Sequence, residues 1–144
     1  MPSKKVSVII IDTEEWCSLL KEYLEVPGRE IITVSSADEA VKLAKELRHT
    51  MSVVVMDRRA FKDLYLKDNR DLILELTSAN EHLHIISYSW SHQHFNTLMS
   101  YIMSDCVVEC QMEKTHPIPT PLYEDERLKN EVTKMMNDYT AIMK

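Results

Sequence analysis

An α/β fold, with a parallel sheet covered by helices on both sides, is predicted by two patterns that alternate along the chain. The first is a set of short apolar runs that stop on polar residues. Ser52-Val53-Val54-Val55-Met56-Asp57 ends a continuous apolar run on an acid, as expected of a central strand buried on both faces with a carboxylate at its carboxyl end. Val6-Ser7-Val8-Ile9-Ile10-Ile11-Asp12 repeats this upstream, and Leu83-His84-Ile85-Ile86-Ser87 repeats it in shorter form downstream. The second pattern is the helical spacing of apolar residues between those runs. In an open parallel sheet the carboxyl ends of the strands share one crevice, where ligands bind. Asp12 or Asp57 alone reads equally well as a polar strand terminator, but the repetition favours a shared site.

In order, the first strand covers about Val6 to Ile11. Trp16, Leu19, Leu20, Tyr23 and Leu24 then recur at helical spacing, while Glu15, Lys21, Glu22 and Glu25 can face water. Pro27-Gly28 breaks that helix and releases the chain into a second strand, Glu30 to Val34. Ser36-Ala37-Asp38-Glu39 has the spacing of a capping box, and Ala40, Val41, Ala44 and Leu47 supply the apolar stripe behind it. The strand ending at Asp57 is third. A charged stretch from Arg58 leads to a helix containing Leu72, Ile73 and Leu76. A fourth strand, Leu83 to Ser87, precedes a helix traced by Phe95, Leu98, Met99, Ile102 and Met103. The fifth strand is placed at Cys106 to Glu109.

Residues 111–122, with Pro117, Pro119 and Pro121, form an extended connection, because each proline removes a donor and biases its predecessor away from helical angles. Thr120-Pro121 is placed as the cap and first residue of the last helix. Leu128, Val132, Met135, Met136, Tyr139, Ile142 and Met143 give that helix one apolar face. Five strand-helix pairs joined by right-handed crossovers make the strands parallel. A flavodoxin-like, doubly wound five-stranded sheet in one domain over 1–144 satisfies this order, although local patterning does not fix the order of the strands.

A chain of 144 residues can bury a core without disulfides or a structural metal. Its 44% apolar and 28% charged content, with one Gly and five Pro, excludes a disordered or collagen-like chain. The net charge of -6 offers no basic field for phosphate backbones, which disfavours direct nucleic-acid binding. Cys17, Cys106 and Cys110 are too few and too irregular for a secreted disulfide framework. The apolar runs fall far short of the roughly 20 residues that cross a bilayer. A soluble, cytoplasmic protein without a membrane partner is the expectation.

Over about Val6 to Glu113 these residues resemble the receiver domain of two-component response regulators. Asp57, closing Val53-Val54-Val55-Met56, matches the phosphoacceptor of that family. Asp12-Thr13-Glu14 matches its paired-acid segment, with Thr13 in place of the second acid. Ser87 matches the serine or threonine that closes the fourth strand. Glu109, after Val107-Val108, is aligned with the family lysine, and Cys110 with the proline that commonly follows it. Arg58-Arg59-Ala60 replaces the usual loop after the phosphoacceptor.

The resemblance implies a magnesium site at Asp12, Asp57 and a backbone oxygen near Arg59, with Thr13 and Glu14 as the adjoining candidates. Hard cations need such an oxygen cage, and phosphoryl transfer needs positive charge near the donor. Thr13 lowers the charge of the cage, so the cofactor expectation is none or weakly held magnesium. Glu14 reads more simply as a solvent-facing acid in the first helical turn. Glu109 would set a carboxylate where an ammonium normally meets the phosphoryl oxygens, and Arg58 or Arg59 are the candidate substitute cations. Ser87 would bond a phosphoryl oxygen, or simply satisfy local backbone.

His92-Gln93-His94 and His82-Leu83-His84 read as surface histidines sooner than zinc ligands, and Cys106 and Cys110 lack the companion pair of a zinc motif. Met99, Met103, Met135 and Met136 fit helical packing, or an adaptable binding face. No glycine-rich phosphate loop or serine-histidine-acid pattern is present. The favoured reading is an atypical receiver-like signalling module that acts by protein-protein interaction without efficient phosphorylation. The resemblance implies a signalling protein such as a histidine kinase, or a second copy in a homodimer, as its partner. The implied surface combines the Phe95–Met103 helix, the fifth strand and the last helix. The alternative is a magnesium-dependent Asp57 phosphoacceptor, whose only enzymatic chemistry is phosphoacceptance and its own dephosphorylation.

Overall fold

The computed structural model describes residues 6–34, 36–48, 51–57, 70–80, 82–89, 108–115, 118–121 and 123–142. The elements are β1 (Ser7–Ile11), α1 (Glu14–Leu24), β2 (Glu30–Val34), α2 (Ala37–Glu46), β3 (Ser52–Met56), α3 (Arg70–Ala79), β4 (Leu83–Ser89), β5 (Val108–Glu113) and α4 (Glu126–Ile142). The strands form one sheet in the order β2-β1-β3-β4-β5, and every pairing is parallel. The doubly wound α/β expectation therefore holds. The chain turns back on itself between β1 and β3, which makes their carboxyl ends the switch point where such sheets open a crevice. Asp12 and Asp57 directly follow those two strands.

Alternation along the strands divides the core into two layers. Ile9, Ile11, Val54, Met56, Leu83 and Ile85 pack with Ala40, Ala44 and Leu76 of α2 and α3. Val8, Ile10, Val53, Val55, Ile86 and Tyr88 pack with Trp16, Leu20 and Leu24 of α1 and with Leu128, Val132 and Met135 of α4. Both faces of β1 and β3 are covered, which is why those strands are apolar after their opening serines.

Local chemistry sets the element ends. Thr13 caps α1, its hydroxyl accepting the Trp16 N–H at 3.4 Å, and Glu14 and Glu15 sit in the first turn, where the helix dipole favours acids. The turn before β2 is closed by the Arg29 N–H donating to the Val26 carbonyl at 3.1 Å. Gly28, after Pro27, has φ 84°, a conformation that strains residues with a Cβ. Ser36 caps α2 by accepting the Glu39 N–H at 3.2 Å.

Two boundaries differ from expectation. The fifth strand does not stop at Glu109: among the described residues it runs from Val108 to Glu113, and its register with β4 slips between Ile85 and Ile86, so that Ile85 pairs with Val108 and Ile86 with Cys110. Glu109 is the extra residue of this bulge. The last helix starts at Glu126, not at Pro121: the Thr120 carbonyl accepts the Tyr123 N–H in a turn, and the Asp125 carbonyl accepts the Lys129 N–H. The connection between β5 and α4 thus covers 114–125, because Tyr123 and Asp125 are drawn into the core before the helix begins. The expected Phe95–Met103 helix, Arg58, Arg59, His92, His94 and Cys106 lie outside the described residues. No described helix is long and apolar enough to cross a membrane.

Candidate functional site

β1 and β3 are adjacent and in register from Ser7 opposite Ser52 to Ile11 opposite Met56, so Asp12 and Asp57 leave the sheet at the same level. The Asp57 N–H donates to the Ile11 carbonyl at 3.0 Å and extends the ladder by one bond. Each acid continues the alternation that points Val8, Ile10, Val53 and Val55 toward the α1 and α4 layer. Both are buried, with 2% of Asp12 and 8% of Asp57 accessible, and two carboxylates this deep require a cation.

That cation is Lys114. Its ammonium donates to Asp12 Oδ2 at 2.8 Å and to Asp57 Oδ2 at 2.5 Å, and the residue is itself buried. Asp12 Oδ1 accepts the Thr13 N–H at 2.7 Å, so both oxygens of Asp12 are engaged. The Lys114 ammonium also lies 4.0 Å from the Trp16 ring centroid and 6.0 Å from that of Tyr88, where the aromatic faces attract positive charge. One ammonium between two acids leaves a net negative pocket. Burial raises Asp12 to about 7, against the opposing pull of Lys114 and with a further push from Asp57.

Lys114 overturns the assignment of Glu109 to the family lysine. Glu109 lies in the bulge near the start of β5, about 16 Å along the strand from Lys114 at a rise of about 3.3 Å per residue. The signal that locates the lysine was present in Val108-Glu109-Cys110-Gln111-Met112-Glu113-Lys114, where apolar and polar residues alternate as in an edge strand. A strand read as a continuous buried run stops at the first acid and misses it.

The other predicted site residues separate. Thr13 points its hydroxyl to the amide of Trp16, which withdraws it from the acid pair. Glu14 is exposed on the first turn of α1. Ser87 is buried opposite Met56 of β3 and Gln111 of β5, and its hydroxyl has no hydrogen-bond partner among the described residues. Ser52 has the same status, but at the amino end of β3, away from the crevice. Neither His82 nor His84 joins a metal cluster: no group of three His, Cys, Asp or Glu able to hold an ion occurs among the described residues.

A hard divalent ion fits this pocket only in part. Asp12 and Asp57 give two carboxylates, and the remaining oxygens of an octahedron would come from water or backbone. Lys114 already occupies an oxygen of each acid, so ion and ammonium compete.

Sequence reasoning also passed over the neighbourhood of the pocket. Trp16 packs edge-on against Tyr123, with ring centroids 5.0 Å apart and planes at 88°. Tyr88 and Tyr123 are hydrogen-bonded through their hydroxyls, and Tyr88 also donates to Asp125 at 2.8 Å. Trp16, Tyr88 and Tyr123 look like ordinary core aromatics in the sequence, and only the fold brings them together.

No protein-family model and no curated protein matches the sequence. Among solved structures, the chain is similar to the receiver domain of the sensor histidine kinase PA1611 from Pseudomonas aeruginosa PAO1, a structure with a magnesium ion coordinated in the active-site cleft. The TM-score is 0.61 at 12% identity, with 94% of this chain and 97% of that chain covered. A likeness at that identity is one of fold, and the fold of this chain is that of a receiver domain.

Proposed function

We propose that this chain is a receiver-like signalling module in which Asp57 accepts a phosphoryl group and Lys114 answers the charge that arrives. The observation that carries this reading is the buried ammonium held by Asp12 and Asp57. With Glu109 in that place, the pocket would repel a phosphoryl group; with Lys114, it has the attraction that transfer requires. A carboxylate oxygen of Asp57 attacks phosphorus, the bond from phosphorus to the donor's leaving group breaks, and the leaving group keeps the electron pair. Lys114 then exchanges Asp12 for the phosphoryl oxygens, whereas Ser87, level with Met56 and on the same side of β4 as Ile85, faces the α2 and α3 layer and not the acid pair.

Asp12 and Asp57 are the residues that would hold magnesium, which when bound neutralises charge on the donor. Thr13 in place of an acid, and the competition with Lys114, make that hold weak. A phosphorylated partner such as a histidine kinase fits as donor, and it adds binding energy that a small donor lacks.

Intact-mass measurement after incubation with acetyl phosphate and magnesium tests the proposal. The wild type gains one phosphoryl group, Asp57→Asn gains none, and Ser87→Ala still gains it. A wild type that stays unmodified across a broad range of donor and magnesium overturns phosphoacceptance and leaves a module that works by protein contact alone. That second reading is favoured by the hydroxyl of Thr13, which is committed to the helix cap instead of the acid pair.

A further inference from the structure

The pocket residues are joined to the start of α4 by a buried chain of hydrogen bonds, and its direction follows from proton counting. Asp125 accepts from Arg127 at 3.1 Å through both of its oxygens, so it is ionised and has no proton to give. Tyr88 therefore donates its only hydroxyl proton to Asp125. The Tyr88 oxygen is then the acceptor in the contact with Tyr123, and Tyr123 is the donor. With its proton so used, the Tyr123 oxygen accepts the backbone N–H of Thr115 at 3.1 Å, the residue next to Lys114. Burial pushes the Tyr88 hydroxyl well up, so the proton stays on the ring oxygen.

Each end of this chain is fixed to something that matters. At one end Thr115 follows the lysine that bridges the two acids, and Trp16, stacked on that lysine, packs against Tyr123. At the other end Asp125 precedes the first residue of α4, and its own N–H donates to the Tyr23 hydroxyl of α1 at 2.9 Å. Tyr88, Tyr123 and Asp125 are all buried, so water does not substitute for a lost partner without rearrangement.

We propose that Tyr123 and Tyr88 are positioning residues: they fix the backbone behind Lys114 and carry its displacement from the acid pair to the first turn of α4 and the end of α1. This deepens the phosphoacceptor reading and rests on the same Lys114 contacts. Its consequence is an output on the α1 and α4 face, reached through hydroxyl protons that can be deleted one at a time.

The test perturbs the pocket without phosphate, so that its failure is distinct from a failure of phosphoacceptance. Amide resonances are compared between the full chain and its Asp57→Asn variant, which removes a charge held by Lys114, and the comparison is repeated in Tyr123→Phe and Tyr88→Phe backgrounds. In the native background Asp57→Asn shifts Thr115 and the amides from Asp125 to Lys129. In each Phe background the shifts at Asp125 to Lys129 shrink at least threefold, while those at Ile11 and Met56 remain. Equal shifts in all backgrounds overturn the proposal, as do native shifts confined to Asp12, Thr13 and Lys114. Two independent Phe variants keep the result decisive if one of them does not fold.

Discussion

The two layers on either side of the sheet are built from different chemistry. Among the described residues, the layer under α2 and α3 is built on aliphatic side chains and Met56, from Ile9 and Ile11 through Val54 to Leu76 and Ile85, and the buried polar groups Ser52, Asn80 and Ser87 on that side are neutral. The layer under α1 and α4 holds aromatic rings and, above them, buried charges: Asp12, Asp57, Lys114 and Asp125. Apolar packing is non-directional, and one such layer tolerates volume-conserving exchange. Buried charges and hydroxyls impose a partner and a direction on each other, so the second layer has one satisfactory arrangement. The first layer stabilises the sheet, and the second sets which way its strand ends are wired.

The contrast is broken most severely at the centre of the polar layer. Lys114→Met leaves Asp12 and Asp57 buried without their ammonium, and loss of one partner from such a group costs about 3–5 kcal/mol. Urea unfolding checks this. Adding Asp12→Asn to the variant restores part of the loss, because one of the two stranded charges is gone.

A smaller effect appears in acid. Burial pushes Asp125 up, but hydrogen bonds from Arg127 and Tyr88 outweigh it and hold the carboxyl below its usual range. A depressed carboxyl contributes stability above the ordinary carboxylate range and loses it as pH falls through the folded value. The stability gap between the wild type and Asp125→Asn should therefore narrow as pH falls through that window. The charged bond from Tyr88 sets the scale, roughly 1.5–3 kcal/mol.

The aliphatic layer should respond least. Ile85→Val removes one methylene from a fully buried position and costs about 0.5–1.5 kcal/mol. The loss is the same across acid and neutral pH, and phosphoryl uptake at Asp57 is unchanged. A marked pH dependence in this variant would mean that the two layers are not separate.

The same contrast decides what the sequence discloses. β1 and β3 are buried on both faces, so after an opening serine their composition is a continuous apolar run, and their ends are plain at Asp12 and Asp57. The caps at Thr13 and Ser36 concern only a few neighbouring residues, but Ser36 alone has a glutamate three residues on, the spacing that marks a capping box in the sequence. β5 lies at the edge of the sheet, where alternation replaces continuity and a bulge interrupts it. Lys114 was hidden for that reason. The start of α4 was misplaced because Thr120-Pro121 is a sound local cap, whereas burial of Tyr123 and Asp125 is decided by residues far away in the chain, Tyr88 and Tyr23. Local rules located the elements, and long-range hydrogen bonds chose between their ends.

The bulge at Glu109 acts on the pleat as a frameshift acts on a message. Side chains of a strand are assigned to its two sides by odd and even position, so an inserted residue reverses the assignment of everything after it. Met112 stands opposite Tyr88, on the aromatic side, and Lys114 follows its parity. Without the insertion, a lysine the same number of steps along would face α2 and α3, away from Asp12 and Asp57. The residue that was mistaken for the lost lysine is thus the one that delivers the lysine to the correct side.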